Sequence, residues 1–554
     1  TAVQIGDPYT QRKLFEALLE ARDKGIINFI TDLGAGGVSC AALEMAEETN
    51  GLDINLDKLL VKYEGMTATE LFLNESQERM AIALNPKYAA QFEEILKKHE
   101  VEYSDIGSFT NSGRAIVKSK DEVVVDMDMH FINNGFPKRT LNPKEYRLNE
   151  EYAANLELLF ELRRNNVYIK NIEGNKFAKH EFYEMHKRPN LASIASFMDK
   201  MDSTVKGLSV QHCIQGKGRV SGRASCTLPD TESKEALIQA YGHAERQSYI
   251  DAERMGINSF LRSIGNNIAM GGRLDYMVAT DQALWQNSDK PEYQQMLIEG
   301  NRGLSKVIEG CEVPVISGKD SMYNQAKIYD KNGNVVERGV FPTILMTTLS
   351  KIDDVDKLVT IDAKNEGDVI YIIGSKTKAD MGGSEFMNMY SEKHNVEFHI
   401  GKTSDEKISE VYETFKKINK AADEQLLQSA IYVESGGIMI ALRDMAMSGE
   451  IGIKADLSKV HHDYKIEQHE LMYGETEGRF IVTVKPQDCE KFEKSVGLFA
   501  DKSSNSEYGC RKIGFVGGKT LDIEHNNRTI LSEKVDDILA TYHQKTEEQP
   551  KIAA

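Results

Sequence analysis

The chain has 554 residues, too many for one core, and its 40% hydrophobic and 28% charged content is that of a globular protein of roughly three to four domains. A formal net charge of −18 argues against a nucleic-acid partner, because phosphate backbones are held by clustered Lys and Arg. No apolar run reaches the roughly 20 residues of a membrane helix and no charged-then-apolar leader opens the chain, so a cytoplasmic protein with no membrane partner is expected.

From the amino terminus, QRKLFEALLEARDKG reads as a helix and IINFITD as a short apolar strand. DLGAGGVS then forms a glycine turn into a second helix over about 39–48, with Ser39 placed to cap it. Strand-like MAIAL, the charged amphipathic helix QFEEILKKHEVE and the strands AIVKS and EVVVDMDM follow, and the first domain closes near Pro143. Residues 144–205, rich in Glu, Lys, Arg and Asn, read as a helical connector. A further unit opens at GLSVQHCI, with a long helix expected over 233–255, a glycine cluster NNIAMGGR, the run VPVISGKDSMYN and the strand FPTILMTTL. The last unit opens at GDVIYIIG, and a polar tail ends the chain. The expected boundaries are 1–147, 148–205, 206–360, 361–545 and 546–554, an α/β (α+β) succession. The six scattered cysteines contain no CxxC pair, so reduced and mostly buried thiols are expected rather than zinc or disulfides.

One segment occurs twice, four hundred residues apart. ITDLGAGGVSCAALEMA followed by LFLNESQERMAIAL recurs as AIYVESGGIMIALRDMAMSG followed by LMYGETEGRFIVTV. Gly36 and Gly37 match Gly436 and Gly437, Glu75 matches Glu475, and Arg79 matches Arg479, all at one offset, which indicates a duplicated domain. Asp32, just before the glycines, is replaced by Tyr432. One working site and one degenerate site are the expected outcome.

The DLGAGGVS turn admits two readings: a tight strand-to-helix turn, or an anion site at a helix start with Asp32 holding magnesium against phosphate. ESQER over 75–79 is either a solvated loop, a structural pairing of Glu75 with Arg79, or a binding loop held at constant length in both copies. VISGKDSMYN over 315–324 and YMVATDQALW, with Asp281, place glycine, charge and hydroxyl at strand ends, where ligands of α/β sheets collect; ordinary turns are the alternative. GKT at 401–403 lacks the upstream glycine of a P-loop, HEFYEMH has the wrong spacing for a zinc helix, and no GxSxG elbow is present.

DLGAGG, ESQERM and SGKDSM, in that order, resemble phosphoribosylformylglycinamidine synthase, as do VQIGDP over 3–8 and GDVIYIIG followed by DMGGSEF. The resemblance implies duplicated aminoimidazole-ribonucleotide-synthetase-like halves, each with a barrel-forming domain and a larger α/β domain, the first barrel domain being absent here. It implies the reaction: ATP activates the formamide oxygen of formylglycinamide ribonucleotide, ammonia displaces phosphate, and the amidine forms, with magnesium neutralising phosphate charge. Carried over by position, Asp32 is a metal ligand, and Gln4, Glu75, Ser76 and Gln77 line the substrate site. Asp281 and Gly318 sit at the nucleotide, ATP or ADP, and Ser321 near substrate. Lys319 stands where the small form of the family has an asparagine metal ligand, so Asp320 is the alternative ligand. The family's catalytic histidine is expected upstream of Thr1, in the missing amino-terminal domain. Ammonia is expected from a separate glutaminase subunit accompanied by a small adaptor. The rivals are another enzyme of the superfamily, such as aminoimidazole ribonucleotide synthetase or selenophosphate synthetase, and a catalytically incomplete nucleotide-binding scaffold.

Overall fold

In the computed structural model the described residues are 7–138, 140–144, 174–200, 204, 207–394, 403–463, 465–497 and 508–544. They divide into two compact units, Thr1–Thr140 and Leu141–Ala554. Gln4, residues 145–173 of the expected connector and the tail 546–554 lie outside the described residues.

The first unit runs α1 (Pro8–Asp23), β1 (Ile27–Asp32), α2 (Gly37–Glu47), β2 (Leu52–Asn55), α3 (Ala68–Leu73), β3 (Met80–Leu84), α4 (Ala89–Lys98), β4 (Gly107–Phe109), β5 (Arg114–Ser119), β6 (Glu122–Asp128) and α5 (Met129–Asn134). Asp7 caps α1 through the Tyr9 amide, and Pro8 supplies a preset first-turn geometry. α1 and α4 each carry an apolar stripe. Ala17, Leu18 and Ala21 meet Phe92, Ile95 and Leu96 over Ile82 and Leu84 of β3. Each large side chain buried in this way contributes on the order of 1.5–3 kcal/mol. Among the described residues β1 pairs with β3 alone, antiparallel, and β4, β2, β5 and β6 form a second sheet in that order, with β2 and β5 parallel.

The second unit begins, among the described residues, with α6 (Gly174–His186). Its first sheet uses β7 (Ser209–Gln211), β10 (Ala224–Thr227), β11 (Ala236–Gly242), β12 (Met277–Leu284), β13 (Val315–Ser321) and β16 (Thr343–Ile352), in the order β13-β12-β16-β11-β10-β7. Two small hairpins, β8 (Ile214–Gln215) with β9 (Val220–Ser221) and β14 (Gln325–Tyr329) with β15 (Val335–Gly339), stand apart from it. The helices α7 (Ala252–Ala269) and α8 (Pro291–Cys311) belong to this layer. From Met255 to Ala269 every residue of α7 is buried, which is the mark of a helix covered on all sides. Two sequence expectations fail here. The stretch 233–255 is not one helix, because Ala236, Ile238, Ala240 and Gly242 are buried at alternate positions, the period of a strand. The expectation that Asp281 and the glycine of SGKDS terminate their strands also fails, because both lie within β12 and β13.

The remainder runs β17 (Val369–Ser375), α9 (Glu385–His394), α10 (Ile408–Asp423), β18 (Ser429–Tyr432), α11 (Gly437–Gly449), β19 (Ile453–Asp456), α12 (Gln468–Tyr473), β20 (Arg479–Val484), α13 (Cys489–Ser495), β21 (Tyr508–Val516), β22 (Thr520–His525), β23 (Arg528–Lys534) and α14 (Val535–His543). From α10 onward the element order repeats that of the first unit. The sheet order is β18-β20-β17-β21-β19-β22-β23, with β19 and β22 parallel.

Candidate functional site

In the first copy, β1 delivers Asp32 to an exposed position beside a turn that only glycine tolerates. Gly36 has φ 78°, and a Cβ on Gly37 would lie 1.9 Å from the Asn74 carbonyl oxygen. Ser39 is not the cap. Its hydroxyl donates to the Gly36 carbonyl at 2.7 Å, while the Gly36 amide donates to Glu75 Oε1 at 2.9 Å. Glu75 and Arg79 therefore form no pair with each other. Arg79 Nε donates to the Ser76 carbonyl at 2.9 Å and its terminal nitrogen to the Asn74 carbonyl at 2.5 Å, which braces the loop from inside. Glu75 and Gln77 are exposed and Ser76 is half-buried. Gly34 is needed for a further reason: a Cβ there would come 2.9 Å from Asp32 Oδ2. The carboxylate occupies a cradle that a larger residue would fill.

The second copy reproduces the scaffold and closes it. Gly436 has φ 82° and donates to Glu475 Oε1 at 2.9 Å; Arg479 donates to the carbonyls of Thr476 and Gly474, both at 2.8 Å. Tyr432, in the place of Asp32, is buried, and its hydroxyl donates to Glu477 Oε2 at 2.8 Å while accepting from the Gly478 amide at 2.8 Å. Arg262, from the middle of α7, donates to Glu477 Oε1 at 2.7 Å, Glu475 Oε2 at 3.1 Å and the His243 carbonyl at 3.0 Å. Burial works against the charge on Arg262, but Glu477, Glu475 and Glu434 together outweigh it, so the guanidinium stays ionised. Burial pushes Glu477 up to about 7, with Arg262 holding it below a still higher value, and raises Glu475 as well.

Sequence reasoning missed Arg262, Glu434 and Arg223. Arg262 is the one charge in the apolar run INSFLRSIG, and that was the available signal. Beside the closed turn a cavity of about 290 Å³ is lined by Arg223, Tyr241, His243, Asn266 and Glu434. Its charges are paired: Arg223 Nε meets Glu434 Oε1 at 2.7 Å, and its guanidinium also donates to the Tyr241 hydroxyl at 2.7 Å.

The third cluster lies where parallel strands β12 and β13 run side by side. Asp281 is opposite Gly318, Gln282 opposite Lys319, Ala283 opposite Asp320 and Leu284 opposite Ser321. A Cβ on Gly318 would come 2.6 Å from Asp281 Oδ1, so glycine leaves room for that carboxylate. Partial burial raises the pKa of Asp281. β13 lies at the edge of its sheet with Gly318, Lys319 and Asp320 exposed, and Lys319 Nζ donates to the Asp320 carbonyl oxygen. Asp281, Gly318, Asp320 and Ser321 are thus neighbours in one unit, and Asp32 and Glu75–Gln77 in the other.

Among the described residues no three His, Cys, Asp or Glu side chains cluster as a metal site. Magnesium bound chiefly through substrate phosphates needs only one or two protein carboxylates, and exposed Asp32 in its glycine cradle fits that demand. Among the described residues no helix is long and apolar enough to cross a membrane. All six cysteines are free; Cys226, Cys311 and Cys510 are buried and Cys40 is exposed.

Residues 1–120 and 365–500, the two copies, match the family described as AIR synthase related protein, C-terminal domain. The phosphoribosylformylglycinamidine synthase subunit PurL of Erythrobacter litoralis is 28% identical over 94% of this chain and 66% of its own length. That of Methanocaldococcus jannaschii is 28% identical over 98% of this chain and 68% of its own. Among solved structures, T. maritima PurL complexed with FGAR superimposes with TM-score 0.58 at 17% identity, over 93% of this chain and 66% of that one. T. maritima PurL complexed with ATP gives 0.57 at 18% identity, over 93% and 68%. The chain spans about two thirds of the length of these relatives, between 66% and 68%. Along nearly all of its own length the chain is similar to phosphoribosylformylglycinamidine synthase subunits, and its fold is the duplicated α/β fold of the T. maritima structures.

Proposed function

We propose that the protein carrying this chain converts formylglycinamide ribonucleotide to formylglycinamidine ribonucleotide with ATP and glutamine-derived ammonia, working from the first-copy turn. The observation that carries this reading is the asymmetry of the copies. Asp32 is an exposed carboxylate in a glycine cradle, whereas its counterpart Tyr432 is buried and locked to Glu477.

In this reading Asp32 takes a magnesium ion, which when bound neutralises phosphate charge during transfer to the formamide oxygen. Gln4, Ser76 and Gln77 contact substrate, together with the Glu75 oxygen that Gly36 does not use. Asp281 and Gly318 hold nucleotide, Ser321 contacts substrate, and Asp320 is the second candidate metal ligand. Ammonia comes from a glutaminase subunit with a small adaptor, a division consistent with the T. maritima assembly described as PurLQS. The reaction takes place in the cytoplasm. The catalytic histidine and the rest of the first nucleotide site belong to the third of the relatives' length that this chain does not span. For the second half alone, the Arg262 lock favours the scaffold reading over a second active centre.

The test is amidine formation by the full-length protein from ATP, formylglycinamide ribonucleotide and ammonia, with Asp32→Asn beside it. Turnover in the wild type and its loss in the variant, by about 100-fold or more for a transition-state charge contact, is the expected result. Equal turnover in both would remove Asp32 from the mechanism.

A further inference from the structure

In the second copy the loop that corresponds to ESQER already holds a ligand-like group, and that group is part of the protein. Arg262 presents one planar edge to it: Nη2 donates to Glu475 Oε2 at 3.1 Å and Nε to Glu477 Oε1 at 2.7 Å. Chemically that edge is an N–C–N unit carrying one delocalised positive charge.

The first copy keeps the frame of this loop and changes what it offers. Gly36 and Gly436 donate to Glu75 Oε1 and Glu475 Oε1 at the same 2.9 Å, and Arg79 and Arg479 brace equivalent loop carbonyls. Gln77 stands in the place of Glu477, and Asp32 in the place of the tyrosine that occupies the other oxygen of Glu477. Among the described residues, Glu75 Oε2 and the Gln77 carboxamide form no hydrogen bond or ion pair. Two carboxylates suit a permanent guanidinium. One carboxylate beside one carboxamide suits a group that is a neutral amide at one stage and a single cation at another. A carboxamide can donate to a carbonyl oxygen or, turned over, accept from an N–H, whereas a carboxylate can only accept.

We propose that Glu75 Oε2 and the Gln77 carboxamide grip the carbon centre at which amide becomes amidine, an assignment that rests on the function proposed above. In the substrate, the amide N–H donates to Glu75 and the carbonyl oxygen accepts from the Gln77 amino group. As the lone pair of ammonia forms the C–N bond, the C–O bond breaks and its electron pair leaves with phosphate, so positive charge passes to the N–C–N unit facing Glu75. With Gln77 turned over, both product nitrogens then donate, as Nη2 and Nε of Arg262 do to Glu475 and Glu477. The pair therefore holds the amidinium more tightly than the neutral amide.

The experiment measures equilibrium binding of formylglycinamide ribonucleotide and of formylglycinamidine ribonucleotide to the full-length protein by calorimetry, without ATP or ammonia. Wild type, Glu75→Gln and Gln77→Glu are compared, with thermal melts to establish that each is folded. A charge-assisted hydrogen bond is worth about tenfold to a hundredfold in a binding constant. Glu75→Gln should therefore weaken the amidine about tenfold or more and the amide less than about threefold. Gln77→Glu, which restores the second copy's carboxylate pair, should tighten the amidine about tenfold and weaken the amide, opposite changes that a damaged fold does not produce. Equal weakening of both ribonucleotides by Glu75→Gln, or wild-type binding of both by either variant, would overturn the assignment and leave the proposed function standing. Binding of neither ribonucleotide by the folded wild-type protein would overturn both.

Discussion

Replacing Arg262 with methionine should unfold the second half far more readily at high pH than at low pH. Arg262, Glu475 and Glu477 are 3%, 4% and 0% exposed, so methionine leaves two carboxylates and the His243 carbonyl buried without their donor. Breaking a buried ion pair from one side costs about 3–5 kcal/mol, and the upper half of that range applies where two carboxylates lose one cation. With Arg262 present burial already holds Glu477 at about 7. Without it the group should be protonated through neutrality, and each unit of upward shift relieves about 1.4 kcal/mol at low pH. The expectation is a loss of about 4 kcal/mol at pH 8, shrinking to about 2 kcal/mol at pH 5.5, with roughly half recovered by adding Glu477→Gln. Trp285 is the only tryptophan in the chain and is fully buried in the same core as α7, so its fluorescence in urea reports on this half directly. A loss below about 1 kcal/mol at pH 8, or one independent of pH, would refute the lock.

In the wild type the sign is opposite to that of an ordinary salt-bridged carboxylate. Glu477 is raised from 4.5 to about 7, so its contribution is fully present below 4.5 and is lost as pH rises through 7. Glu477→Gln should flatten the stability profile between those values, by about 3 kcal/mol at most, in thermal melts across that range. Glu75→Ala, at an exposed turn, should cost about 1 kcal/mol, whereas Glu475→Ala, which strips two amides and Arg262 of a buried partner, should cost 3 kcal/mol or more on the same roughly estimated scale; denaturant titration of each distinguishes them. Gly318→Ala should displace the Asp281 carboxylate and weaken ATP binding by calorimetry about tenfold, or about 1.4 kcal/mol. Asp281→Ala should abolish the nucleotide-dependent gain in stability, read as a rise in melting temperature and worth about 2.7 kcal/mol at a hundredfold excess over Kd.

Much of the first copy was legible because a repeat acts as its own control. The offset tied Gly36, Gly37, Glu75 and Arg79 to their counterparts, and the structure shows the same amide and carbonyl bonds in both copies. Their purpose was not legible. Glu75 and Arg79 look like an ion pair in sequence, yet each serves the backbone, since orphan amides at a helix start and buried loop carbonyls need partners before side chains do. The strand Ala236–Gly242 was read as helix because alanine and glutamine favour helix, while its alternating burial is imposed by pairing with β10 just before it and β16 far along the chain. Arg262 showed in the sequence only as a lone charge in an apolar run, because its carboxylate partners lie more than two hundred residues away.

Arg262 also has a mechanical meaning. It projects from the helix layer of the second half and is clamped by a loop of the repeated domain, so any opening between those layers must strip a cation from two carboxylates at once. A barrier of that kind turns a hinge into a welded seam. Within the second half the helix layer and the loop Gly474–Gly478 should therefore separate only together with loss of this whole charge cluster.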